Sequence, residues 1–132
     1  MFCVCANDSD RNVRAGKERK NRRLFFFEIA DTPELRARGL QGRTELPDGT
    51  GMYFVFNPPR IVAMWMKDTY IPLDMLFLDE KGYVVQIKEN AVPLDETLIP
   101  SLLPVSGVIE LPAGSVKKHK IELLDRFFPK EN

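Results

Sequence analysis

Ile-Val-Ala-Met-Trp-Met-Lys-Asp-Thr-Tyr-Ile-Pro-Leu-Asp-Met-Leu-Phe-Leu, residues 61–78, divides into two apolar arms around a polar knot of Lys67, Asp68 and Thr69. The stretch holds the chain's only tryptophan, Trp65, and three of its five methionines. Short runs rich in apolar and aromatic residues and interrupted by polar residues predict strands. The expectation is a strand over 61–66, a connection at 67–70 and a second strand over 71–78, the two pairing with each other. Pro72 fits only near the start of a strand or on an edge, because it has no N–H to donate.

The same rhythm extends in both directions. Residues 24–30 are aromatic and apolar and predict a strand. Asp31-Thr32-Pro33-Glu34 then predicts a short helix. Asp31 or Thr32 can cap it, Pro33 suits its first position, and Glu34 complements the positive end of the helix dipole. Gly39 is a natural stop, with Leu35 and Leu40 expected to face the core and Arg36, Arg38 and Arg43 expected to be solvated or paired. Residues 52–56 predict a strand, and Asn57-Pro58-Pro59-Arg60 a turn. Asp79-Glu80-Lys81-Gly82 predicts a hairpin whose second strand is 83–88, alternating as Tyr-Val-Val-Gln-Ile-Lys. Residues 89–104, with prolines at 93, 100 and 104, predict loop. A strand over 105–111, a short helix capped by Ser115 and running through His119, and a last strand near the end complete the reading. Several short strands separated by turn signals, with one or two small helices, predict a mostly β single domain: a β-sandwich or a partly open β-barrel.

The chain has 132 residues, the size of one domain and enough to bury a substantial core. Its formal net charge is zero, but unevenly distributed. Between residues 11 and 23 there are seven basic residues and one acid, Glu18. From Leu24 onward there are 12 basic and 16 acidic residues, a net of −4. Residues 1–23 therefore predict a disordered basic leader and 24–132 the folded domain. A mildly acidic body does not favour phosphate backbones, so nucleic acid is not an expected partner. No apolar run is long enough for a transmembrane helix. Both cysteines, Cys3 and Cys5, lie in the leader. A bond between them would be strained, and they leave the compartment open.

Five motifs carry a resemblance. They are Ala-Asp-Thr-Pro-Glu-Leu-Arg-Ala-Arg-Gly-Leu (30–40), Gly-Met-Tyr-Phe-Val-Phe (51–56), Met-Trp-Met-Lys-Asp-Thr (64–69), Ile-Pro-Leu-Asp-Met (71–75) and Glu-Leu-Pro-Ala-Gly (110–114). In this order they closely resemble the domain-of-unknown-function 192 family of bacteria and archaea, from about Phe25 to Phe128. The resemblance implies a compact, mostly β domain with a small helix near its start. It brings no established reaction, cofactor or catalytic residue. It implies an exported or periplasmic location, cytoplasm being the alternative, although the leader here lacks a signal pattern. Asp68 stands where many members carry Asn.

The knot is the candidate site. Trp65 offers an aromatic floor, and Lys67, Asp68, Thr69 and Asp74 offer convergent polar groups, the usual composition of a ligand pocket. Arg38 and Arg43 are expected to border it. The competing reading makes Trp65 a core anchor and Lys67 and Asp68 turn residues. Asp74, within an apolar strand, must be paired, hydrogen-bonded or at an edge. Glu28, Glu89 and Glu110 raise the same question. Glu110 lies between Ile109 and Leu111 and is expected to point away from the face they bury.

Recognisable catalytic sets are missing. The body has no cysteine nucleophile, no Gly-x-Ser-x-Gly elbow and no phosphate loop. His119, the only histidine, sits in a basic run and reads as a surface residue. No metal and no cofactor are expected. The leading expectation is a monomeric, non-enzymatic module binding a small molecule or carbohydrate. The alternatives are a carboxylate-dependent hydrolase, using Asp68 and Asp74, and a protein-interaction module using a sheet edge.

Overall fold

The computed structural model describes residues 23–129 in full and residues 2–7 by their backbone. Among the described residues nine strands and two short helices follow one another: β1 (Phe2–Asn7), β2 (Arg23–Ala30), α1 (Pro33–Arg38), β3 (Thr50–Arg60), β4 (Ala63–Met64), β5 (Leu73–Leu78), β6 (Val84–Ala91), β7 (Ile99–Pro100), β8 (Val105–Pro112), α2 (Ser115–Lys118) and β9 (Arg126–Pro129). The mostly β single-domain fold with two small helices is as the sequence predicts. Seven strands form one mixed sheet in the order β6-β5-β8-β3-β2-β1-β9. A single bridge from Tyr83 to Arg126 curls its ends toward each other without closing it into a barrel. Of the segment read as a leader, residues 2–7 form β1, which pairs with β2 and β9. The rest of it, residues 1 and 8–22, lies outside the described residues.

One step of the topology positions everything that follows. β2 and β3 are parallel neighbours, while the other pairings are antiparallel. Parallel neighbours need a crossover connection, and α1 with its trailing loop provides it. α1 forms for the local reasons read in the sequence. Thr32 caps it, its Oγ1 accepting from the Leu35 N–H at 3.1 Å, and Pro33 opens it. Gly39 ends it at φ 51°, where a side chain would also crowd the Phe54 ring. Leu40 is buried beyond the stop, whereas Leu35 stays 40 % exposed against the core expectation. A six-residue helix shows few positions inward, and the first residue past its end makes the anchor instead.

The middle of the sheet, at β5 and β8, is covered on both faces, which is why every residue of β5 is buried. Alternation divides its side chains. Leu73, Met75 and Phe77 join Met52, Phe54, Phe56, Val108 and Leu40 on one face. Leu76 and Leu78 join Phe25, Phe27, Ile109, Leu111, Val116 and Phe127 on the other. The second face carries an aromatic cluster, with Phe25 and Phe27 stacked at 6.0 Å and Phe127 tilted at 5.6 Å from Phe25.

Two expectations for pairing are corrected. The 61–66 arm does not pair with β5. Only Ala63 and Met64 are extended, and they pair with Ile99 and Pro100 in a separate ribbon. β5 pairs instead with β6, through the predicted hairpin, and with β8. The loop at 92–101 competes successfully for the 61–66 backbone: Val62 and Ser101 exchange hydrogen bonds at 2.7 and 2.9 Å, and the Met66 N–H donates to the Asp95 carbonyl. The predicted turn at 57–60 is also absent. β3 runs through it to Arg60, with a shift in register after Val55, as expected where two prolines remove two ladder donors.

Candidate functional site

The crossover and the ribbon lie over the same face of the sheet and leave a cavity of about 650 Å³ between them. α1 contributes Arg36 and Arg38, the far end of β3 contributes Phe56 and Arg60, and the polar knot contributes Trp65, Lys67 and Thr69. Met64 and Leu98 add apolar wall, and Glu110 of β8 lies at the bottom. The size falls in the range of small-molecule sites.

Glu110 is the residue whose importance the sequence understated. Alternation directs it away from Ile109 and Leu111, as expected, but that opposite face is buried too. Its cross-strand neighbours are Met52 and Met75, and only 4 % of the residue is exposed. Its carboxyl has no hydrogen bond or ion pair among the described residues. Burial alone pushes its pKa from 4.5 up to about 8, so the group is an uncharged acid at neutral pH. Gly51 fits this point closely: a Cβ there would lie 1.9 Å from the Glu110 carbonyl oxygen, so only glycine lets β3 pass so near. The available sequence signal was an acidic residue in an otherwise apolar strand.

The walls are cationic. Arg36 donates to the Val55 carbonyl at 3.0 Å, and its guanidinium lies 5.7 Å from the Phe56 ring centroid. Arg60 lies 5.2 Å from the same ring. The Lys67 ammonium sits 5.3 Å from the centre of the Trp65 ring. Such cation–ring contacts hold the side chains in place while leaving their charges unneutralised. Trp65 is 40 % exposed at the rim. Thr69 is buried, its hydroxyl donating to the Lys67 carbonyl at 3.0 Å and so tightening the turn.

Of the seven residues predicted for the site, Arg38, Trp65, Lys67 and Thr69 line this cavity. The other three lie elsewhere. Asp68 is an exposed turn residue at φ 53°, in the left-handed region that Asn and Asp tolerate best among non-glycine residues. Arg43 forms a two-pronged pair with Glu28, one contact measuring 2.7 Å, and that pairing holds the Glu28 carboxyl below its ordinary value. Asp74 points to the opposite face of the sheet and is fully buried. Its Oδ1 accepts from the Asn90 N–H at 2.9 Å, and its Oδ2 from the Gly114 and Val116 N–H groups at 3.1 and 2.9 Å. Asp74 thereby caps α2, the role expected of Ser115, whose hydroxyl instead donates to the Pro112 carbonyl. His119 is partly shielded rather than solvated, in contact with Asp48 at 2.9 Å and edge-on to Phe25.

Among the described residues no group of three His, Cys, Asp or Glu side chains converges to hold a metal. A second cavity, of about 480 Å³, opens beside Tyr53, Asp79, Glu80, Ser106 and Phe127. Among the described residues it has no cation in its walls, and it contains none of the predicted residues.

Residues 15–127 match the model of the domain-of-unknown-function 192 family, DUF192, described as "Uncharacterized ACR". The chain belongs to the DUF192 family. Two solved structures are close to this DUF192 domain. One, a candidate transcription regulator of Sinorhizobium meliloti 1021, is 36 % identical, with a TM-score of 0.87 over 98 % of this chain and 94 % of that one. The other, a protein of unknown function from Novosphingobium aromaticivorans DSM 12444, is 35 % identical, with a TM-score of 0.84 over 96 % of this chain and 83 % of that one. No curated protein matches the sequence of this chain. Among the described residues no helix is long and apolar enough to cross a membrane.

Proposed function

We propose that this DUF192 domain is a small-molecule or carbohydrate binding module, with its site in the cavity beneath Trp65. The observation that carries the reading is the convergence of two remote motifs on one cavity. The α1 motif and the Trp65 motif are separated in sequence, and each supplies a wall. The indole is open at the rim, where an aromatic face can stack on a sugar ring or another flat ligand. A few polar groups set among apolar walls give orientation.

The hydrolase reading has less support. Glycoside hydrolysis needs two carboxyls about 5–10 Å apart across a cleft. Among the described residues the cavity offers one, Glu110, while Asp68 is exposed in the turn and Asp74 caps α2 on the other face. The description of the Sinorhizobium relative would bring DNA as a partner, and the net charge of −4 from Leu24 onward counts against that.

Trp65 is the sole tryptophan, so its fluorescence reports on the site without interference. Titration with a panel of sugars and small metabolites is expected to shift it saturably for at least one compound, and Trp65→Ala is expected to abolish that compound's effect on the backbone amides of α1. A panel that leaves both the fluorescence and those amides unchanged would overturn the reading.

A further inference from the structure

Resting on that reading, we infer that the ligand is a small organic anion, whose carboxylate or phosphate group meets the cationic walls while its body lies against Trp65. The basis is the balance of charge inside the cavity. Arg36, Arg38, Arg60 and Lys67 bring four positive charges to one cavity. Among the described residues none of the four is ion-paired with a carboxylate. The surrounding domain has the opposite sign, with a net of −4 from Leu24 onward. Among the described residues no acid of this face forms an ion pair with the four cations, and only Glu28 is near enough to attract one of them, Arg38, weakly. Glu28 is already matched by Arg43, outside the cavity. Glu110, the one acid inside it among the described residues, is mostly uncharged at neutral pH.

The geometry also divides the labour. Three of the cations are held by rings or carbonyls, Arg36 and Arg60 on Phe56 and Lys67 on Trp65. Holding them in place lowers the entropy lost when a ligand is gripped. Arg38 is exposed and has no such tether, so it is free to fold over an anion. At the floor, a protonated carboxyl can donate one hydrogen bond to the ligand and accept another. The second cavity has no cation in its walls among the described residues and serves as the internal contrast.

The test uses the full chain and three probes of one shape: glucose, glucuronate and glucose 6-phosphate, followed through Trp65 fluorescence and backbone amide shifts near neutral pH. At least one anion is expected to bind about tenfold or more tightly than glucose, and to weaken as salt is raised. The stronger of the two anions identifies carboxylate or phosphate as the preferred group. Arg38→Gln together with Lys67→Gln should remove most of that advantage with the unfolding midpoint unchanged. Glucose binding as tightly as both anions would overturn this inference and leave the binding-module reading in place. No response to any of the three would overturn this inference, while the wider panel decides the binding-module reading. An advantage for the anions that survives the double substitution would overturn the assignment to this cavity.

Discussion

Asp74 and Glu110 are two buried carboxyls in adjacent strands, one register step apart and facing opposite sides of the same sheet. Asp74 accepts three backbone hydrogen bonds and ties together the end of β6 and the start of α2. Glu110 accepts none among the described residues and faces a cavity. Burial is equal, so burial does not separate a structural acid from a functional one. The number of donors aimed at the carboxyl does. An acid whose oxygens are satisfied by its own backbone is part of the fold. An acid left uncharged beneath a cationic cavity is available to a ligand.

The largest effect expected from this contrast is on pH. The folded chain holds a proton on Glu110 that the unfolded chain releases at the ordinary value of 4.5, and it keeps that proton until about pH 8. The contribution of Glu110 is therefore fully present below pH 4.5 and is lost as the pH rises toward 8, a change on the order of 5 kcal/mol. Urea unfolding across this range checks it, with Glu110→Gln expected to flatten the slope. A wild-type slope equal to that of Glu110→Gln would place Glu110 in the same class as Asp74.

Removing the Asp74 side chain comes next. Asp74→Ala leaves three backbone N–H groups without their acceptor, and a loss of about 3–4 kcal/mol is expected in the unfolding midpoint. A loss below about 1 kcal/mol would show that water or another group replaces it easily. The paired amide substitutions sharpen the point. Asp74→Asn turns one oxygen into a donor facing N–H groups and should cost about 2 kcal/mol, while Glu110→Gln should match wild type within about 1 kcal/mol below pH 4.5 and exceed it by roughly 3 kcal/mol at pH 7.

Glu28 offers the smallest test. It lies on the same face, one strand beyond Met52, and Arg43 matches its charge in a partly exposed pair. Arg43→Met is expected to change stability by less than about 1 kcal/mol. A larger loss would make that pair part of the core and bring it into the comparison with Asp74.

Legibility in the sequence followed the range of the interactions. α1 was readable because Thr32, Pro33 and Gly39 act within one turn of the chain. The β5–β6 hairpin was readable because its turn, with Asp79 Oδ1 accepting from Lys81 and Tyr83, is equally local. The pairing of β4 with β7 was not, since the competing partner lies some 35 residues away in a segment read as loop. The capping of α2 by Asp74, 42 residues distant from Val116, was hidden for the same reason. Trp65, Lys67 and Thr69 could be selected by composition alone, because they adjoin in sequence. Arg36, Arg60 and Glu110 could not be joined to them without the crossover that stacks α1 and the ribbon on one face of the sheet.

The central claim is that Glu110 is an uncharged acid at the floor of the site. Carbon-13 NMR of the glutamate side-chain carboxyls measures this directly. One resonance is expected to titrate near pH 8 and to vanish in Glu110→Gln. A spectrum in which no glutamate titrates near pH 8 would contradict the account.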